Sequence, residues 1–427
     1  MFDYASYAFG ALVLLATIYA FPEVVFAMAT FGLPFLQALF TVAGITVSIS
    51  LCSSVLIVLT MVAGALKQRT FPITKITVPV FLLFSYALIS LSYTPSFAYG
   101  LTKVQLLFGH ILLIIMAIPC VLSSPGKLDR FFLLIPLYAM LMTGLALVSP
   151  TALISEGGSG RIAIVDIVTT AQFLAVAVFL LIYHTRPHLS LSSGNPLYLS
   201  SLVILIVSLL LTGTRAAMLG LIVAITAKQI MDGKRSIRRV SILLSLLAIP
   251  FAVYSLLGTL DFISGELADR FFNLSQLLDT NREGNYLAAM DIWLENPILG
   301  AGVGGYRDLS IRFLNPDEIN PLIWVDESYG LYPHNIFLEI LSELGLIGLA
   351  VFLMIGWRLY STFATAHLQT DRIGRYKSVI LGVFIICFVF ASSSLDMVRN
   401  YYFWTSAGLI ALIGLTSWRR HNKLSRS

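Results

Sequence analysis

Apolar runs about as long as a bilayer is thick recur along nearly the whole of this 427-residue chain, separated by charged or Pro/Gly-rich breaks. A membrane-spanning helix takes about 20 largely apolar residues. Only 11% of the residues are charged and 58% are hydrophobic, against roughly 25% charged in a soluble domain. That much apolar surface cannot be hidden in a protein core, so lipid must serve as the solvent. The chain therefore reads as an all-α polytopic membrane protein. Its first run, "ASYAFGALVLLATIYAF", has no basic n-region and no A-x-A-like cleavage site, and is expected to be a retained helix rather than a signal peptide.

The breaks place two helices within 5–66, where a third would also fit. Further spans are expected at 76–93, 104–124, 131–149, 164–184, 197–213, 216–231, 240–258, 335–357, 378–395 and 402–418. About twelve spans result. They divide into an N-terminal bundle of about nine helices (1–258), a long loop or lid (259–333), three C-terminal helices (334–418) and a basic tail (419–427).

Alternating spans put nineteen of the 27 Lys and Arg on one face, among them Lys67, Lys127, Arg130, Arg186, Lys228 and Lys377. The positive-inside rule makes that face cytoplasmic, with both termini on it. The net charge of +5 is then a topology signal that meets anionic headgroups, not a nucleic-acid footprint. The interval 259–333 lies opposite. It holds twelve of the 22 acidic residues, no lysine, and four arginines: Arg270, Arg282, Arg307 and Arg312. Connections this long are uncommon unless functional or disordered. Helix-like text ("NREGNYLAAMDIWLENP") and a glycine-rich turn ("GAGVGGY") predict an ordered structure. Cys52, Cys120 and Cys387 fall inside spans and read as packing residues.

His334 is the one histidine expected on the outer side, at the mouth of the helix "NIFLEILSELGLIGLA". In the plainest reading it caps or anchors that helix. Three neighbours favour a site. Pro333 fixes the backbone at the helix start. Asn335, Glu339 and Glu343 follow at i, i+4 spacing on one helical face, and ionisable groups within a span usually line a cavity or pathway. Arg161, Arg215 and Arg282 stand on the same outer side, against the orientation bias. Arginine suits bidentate binding of phosphate oxygens, so these residues with His334 make a candidate diphosphate site. Arg270, Arg307 and Arg312 read instead as structural pairs with loop carboxylates.

"YPHNIFLEILSELGLIG" resembles the His-Asn motif of the O-antigen ligase and polymerase superfamily of bacterial membrane glycosyltransferases. "LTGTRAAMLGL" resembles that family's T-G-S-R-G segment, with Thr214 for serine and Ala216 for glycine. "NREGNYLAAMDIWLENPILGAGVGGY" is similar to its R-x-x-x-W…N-P-[IL]-L-G-x-G-x-G-x-[FY] stretch, with Tyr286 in place of the tryptophan. "GRIAIVDIVTTAQFLA" is a poorer copy of the R-[LI]-x-G…P-N-x-x-A segment, so Arg161 is the weakest carry-over. "SYTPSFAYGLTKVQLL" loosely resembles the family's W-S-x-D-P segment.

The resemblance implies a GT-C-like, metal-independent, inverting enzyme that needs no cofactor. Its donor would be a glycan on undecaprenyl diphosphate. Its acceptor would be a lipid A-core sugar in a ligase, or a second lipid-linked repeat in a polymerase of O-antigen, capsule or exopolysaccharide. The site would face the periplasm from the inner membrane.

The residue chemistry agrees: arginines neutralise departing phosphate charge, and a histidine deprotonates the incoming hydroxyl. His334 is expected as the base, with Arg215, Arg282 and Arg161 on the diphosphate. Asn335, Glu339, Tyr286 and Tyr332 are the supporting residues, Glu339 as an orienter of the imidazole. No Asp-x-Asp stands at an outer-face position, in keeping with metal independence. A lipid-linked sugar flippase or transporter would carry more charge along a central pathway, and a scaffold would have no need of His334 with its arginines.

Overall fold

A computed structural model of the chain describes residues 15–32, 39–42, 45–68, 73–148, 167–188, 194–231, 282–314, 331–365, 376–393, 396–398 and 400–424. The expected span 240–258 and Arg161 lie outside the described residues. So does Arg270, with much of the interval 259–333.

The described chain is helical apart from one small hairpin. α1 (Pro22–Ala27) runs on as a π turn over Met28–Gly32, and strands β1 (Leu39–Val42) and β2 (Ile45–Ser48) follow. The strands pair antiparallel, Leu39 opposite Ser48 and Val42 opposite Ile45. Where two helices are expected in 5–66, the described part therefore holds helical residues 15–20, the short α1, this hairpin and α2 (Ile49–Gln68). The reason lies in "LFTV" and "ITVS", whose β-branched residues favour strands over helix.

Beyond it come α3 (Thr77–Ser90), α4 (Phe97–Val121), α5 (Pro125–Val148), α6 (Ile167–Thr185), α7 (Pro196–Leu211) and α8 (Arg215–Met231). After α9 (Arg282–Glu295) and the short α10 (Tyr306–Leu309) come α11 (Ile336–Thr365), α12 (Lys377–Ser393) and α13 (Tyr401–Leu424). Local rules account for several starts. α7, for example, opens on Pro196 behind an Asn195 cap, whose Oδ1 accepts from the Leu197 amide at 2.9 Å.

Among the described residues four helices are long and apolar enough to cross a membrane: Phe97–Val121, Pro125–Leu145, Ile167–Thr185 and Ile336–Thr365. Six shorter apolar helices accompany them. Most boundaries fall within a few residues of expectation. The larger departures are α11, which runs to Thr365 rather than 357, and α4, which starts at Phe97 rather than 104 because Lys103 lies within the helix instead of ending it.

One large core joins the long helices, with Phe31 and Tyr402 stacked 4.8 Å apart within it. α8 and α12 run antiparallel: Lys228 near the end of α8 donates to Ser378 Oγ at the start of α12 (3.0 Å), and Gly220 backs onto Ile386. α11 packs against α3, α9 and α13. A smaller cluster of Ala288, Ala289, Ile292, Ala301, Tyr306 and Leu314 ties α9 to the glycine-rich turn, with Leu331 and Leu338 against it.

That turn is built into α11. The helix breaks at Gly345 (φ 61°, ψ −162°), which leaves backbone groups without helical partners. Residues 297–302 supply them: the Ala301 and Gly302 amides donate to the Ser342 and Glu343 carbonyls at 2.9 and 2.8 Å. In return the Leu346 and Ile347 amides donate to the Pro297 and Ile298 carbonyls at 3.0 and 3.3 Å. Non-helical backbone at membrane depth is tolerated only where protein satisfies it, and here a second stretch of backbone does so.

The approach is close enough to demand glycine. A Cβ on Gly345 would lie 2.6 Å from the Gly300 nitrogen, and one on Gly302 would lie 2.7 Å from Thr94 Cα. Both residues also have positive φ. The turn's other side is held by the link between α3 and α4, where Thr94 Oγ1 donates to the Val303 carbonyl at 2.9 Å.

Candidate functional site

The site is assembled around the end of α12, where groups from α9 and α11 converge on its last carbonyls. Asn335 is the N-cap of α11. Its Oδ1 accepts from the Phe337 and Leu338 amides at 2.9 and 3.2 Å, and its Nδ2 donates to the Ser392 carbonyl at 2.9 Å. Arg282, the first residue of α9, donates from Nη1 to the Ser393 carbonyl. These carbonyls are the negative end of the α12 dipole, which suits a cation. One guanidinium nitrogen is engaged there, and a planar fork with five N–H donors keeps others for an anion.

Arg215 reaches the same end by helix register. α8 starts at Arg215, and its pairing with α12 sets Lys228 by Ser378 and Gly220 by Ile386. Carried back from Gly220 by about one and a half turns, this antiparallel register brings the start of α8 alongside the end of α12.

His334 precedes Asn335 directly. It has φ 56°, the one positive φ of a non-glycine residue among the described residues. Such a conformation costs on the order of 1–3 kcal/mol and persists only when the surroundings impose it. Here buried Pro333 fixes the chain before it and the Asn335 cap fixes the chain after it. The Tyr332 ring lies 4.5 Å from the imidazole, centroid to centroid. The imidazole is half-buried, held against an aromatic neighbour and still accessible.

Glu339 behaves differently from expectation. One carboxylate oxygen accepts from Lys103 Nζ, and the other accepts from the Met397 amide at 2.7 Å. Lys103 also meets Glu343 Oε2 at 2.7 Å. Lys103, Glu339 and Glu343 are at most 1% exposed, so this is a buried ion cluster rather than a set of interfacial charges. Sequence reasoning missed Lys103. The available signal was a lone lysine in an apolar run, seven residues into the "FAYGLTKVQL" helix, on a chain with two intramembrane glutamates to neutralise.

The structure thus brings His334, Asn335, Arg282 and Arg215 to the end of α12, with Tyr332 on the imidazole. Tyr286 is half-buried on α9, one turn after Arg282. Arg307 pairs with Asp308, and Arg312 lies 4.0 Å from Glu295, the structural roles expected of them. Lys127, Arg130, Lys228 and Lys377 stand at the opposite end of the helices, since α4 starts beside Glu339 and α8 runs away from the site.

Chemically, the arrangement offers a preorganised imidazole beside cationic groups at the mouth of an apolar bundle. No curated protein matches the chain. Residues 200–353, about a third of its length, match the family model described as O-antigen ligase. That stretch, over which the chain is similar to the O-antigen ligase family, holds Arg215, Arg282, the glycine-rich turn, His334 and Glu339.

Proposed function

We propose that this chain is an inverting membrane glycosyltransferase that moves a glycan from undecaprenyl diphosphate to a hydroxyl of a lipid A-core sugar. The observation that carries the reading is the strained His334, set beside the carbonyls that hold Arg282, within the family-matched stretch. In this reading the acceptor hydroxyl attacks the anomeric carbon and the bond to the diphosphate oxygen breaks. The hydroxyl proton passes to His334, and the charge released on the diphosphate is met by Arg215 and Arg282, with Arg161 as a further ligand. A positioned general base contributes about 10²–10⁴-fold, and oriented cations act where the charge develops. Tyr332 and Asn335 hold the imidazole's place, and Tyr286 stands on the same helix as Arg282.

The wider setting belongs to the same proposal. About twelve spans in a GT-C-like bundle put both termini in the cytoplasm and the site on the periplasmic side of the inner membrane. The chemistry calls for no metal or cofactor.

The test is the length distribution of undecaprenyl-linked glycans in cells whose sole copy carries His334→Ala. Long lipid-linked chains that accumulate without transfer mean a ligase. Single repeats alone on the lipid mean that the same chemistry serves a polymerase. An unchanged profile with normal surface glycan would overturn the enzymatic reading.

A further inference from the structure

Three groups from two elements, α9 and α11, converge on the end of α12 and the stretch that follows it. Asn335 and Arg282 donate to the Ser392 and Ser393 carbonyls, and the Met397 amide donates to Glu339 Oε2 at 2.7 Å. Met397 and Asn400 are then tied inward as well. The Trp404 indole donates to the Met397 carbonyl at 2.8 Å, and Gln172 Nε2 donates to Asn400 Oδ1 at 2.9 Å. Glu339 is the only one of these contacts that begins on the His334 helix and is itself anchored to a third helix, through Lys103 of α4.

Resting on the proposed glycosyl transfer, we propose that Glu339, clamped by Lys103, is a positioning residue: through the Met397 amide it sets the end of α12 that holds Asn335 beside His334 and receives Arg282. The alternative is that Glu339 merely balances the lysine charge. Glu343 provides the comparison. It meets the same ammonium and is equally buried, but its second oxygen, Oε1, has no hydrogen-bond partner, whereas the second oxygen of Glu339 accepts from the Met397 amide. A charge-balancing role makes the two glutamates equivalent. A positioning role does not. A glutamine at 339 has one acceptor oxygen for two donors, Lys103 and Met397; Lys103 keeps Glu343, so an amide oxygen drawn to the ammonium leaves the Met397 amide buried without its acceptor.

The experiment uses the full-length protein in lipid nanodiscs, comparing Glu339→Gln with Glu343→Gln. Amide hydrogen exchange and glycan transfer from a lipid-linked donor are both measured. Glu339→Gln is expected to speed exchange over 396–398 and at Phe337 and Leu338 by at least about tenfold. It should lower kcat by at least about tenfold while leaving the donor KM within about threefold. Glu343→Gln should change each quantity by less than about threefold.

Equal effects from both variants, or wild-type protection over 396–398 in Glu339→Gln, would overturn the proposal. Should Glu339→Gln fail to fold, Glu339→Asp keeps the charge but shortens the reach to Met397. It is expected to raise exchange in the same stretch, and unchanged exchange there overturns the proposal equally. Exchange decides the matter without activity: if the wild-type protein transfers no glycan, the functional reading falls while the positioning result stands on its own.

Discussion

His334 holds a left-handed backbone between Pro333 and Asn335, so substitutions there divide by backbone tolerance as well as by chemistry. Asparagine adopts that conformation readily and β-branched residues do not. His334→Asn should therefore cost about 10²–10⁴-fold in kcat with little change in Tm. His334→Val should lose both activity and thermal stability, and a Tm equal to wild type in that variant would mean that the turn is not imposed. At Arg282 the expectation is that Arg282→Lys loses most activity although charge is kept. A lysine already donating to Ser393 has no fork left for a diphosphate; transfer rates close to wild type would remove Arg282 from the site. The Pro-His-Asn start of α11 could be read from sequence because capping is local. The partner of Glu339 could not. Lys103 lies 236 residues away and, as a charge in an apolar run, looked like the end of a helix rather than part of one.

At the scale of elements, apolar length located most helices, while their internal breaks stayed hidden. "SELGLIGLAVF" gives no warning that α11 is interrupted at Gly345, because glycine and leucine read as continuous span and the interruption is set by residues 297–302. The hairpin at 39–48 was missed for a related reason: a short apolar run fits helix or strand until its partner is known. Two glycines of the same helix test the account of the break. Gly345→Ala puts a Cβ against Gly300 at positive φ and should cost at least about 2 kcal/mol. Gly356→Ala meets nothing within 4 Å and should be neutral or gain up to about 1 kcal/mol. Thermal unfolding of the two variants in one detergent makes the comparison, and similar Tm values would refute the interlock.

At the scale of the whole molecule, Lys67, Lys127, Arg130, Lys228 and Lys377 and the candidate site lie at opposite ends of the described helices. Exposed Glu283 lies beside Arg282 at the site end, and exposed Lys67 lies at the end of α2, which runs alongside α4 with Gly64 against Cys120. Membrane-impermeant maleimide on intact spheroplasts should label a cysteine at Glu283 and spare one at Lys67, with the pattern reversed in inverted vesicles. Labelling of both from one side would break the alternating topology. This separation was legible because orientation is written in composition. The convergence of α9, α11 and α12 was not, because it rests on carbonyls that carry no sequence identity.

The seam between residues 297–302 and the broken α11 also bears on how the chain is made. The glycine-rich turn is synthesised before the helix it completes, so the exposed carbonyls of Ser342 and Glu343 emerge to find their donors already present. Insertion of α11 is then a docking event as much as a partitioning of one segment into lipid. A truncation that ends before Gly300 and restarts at α11 should leave that helix unable to settle in the bilayer, however apolar it is.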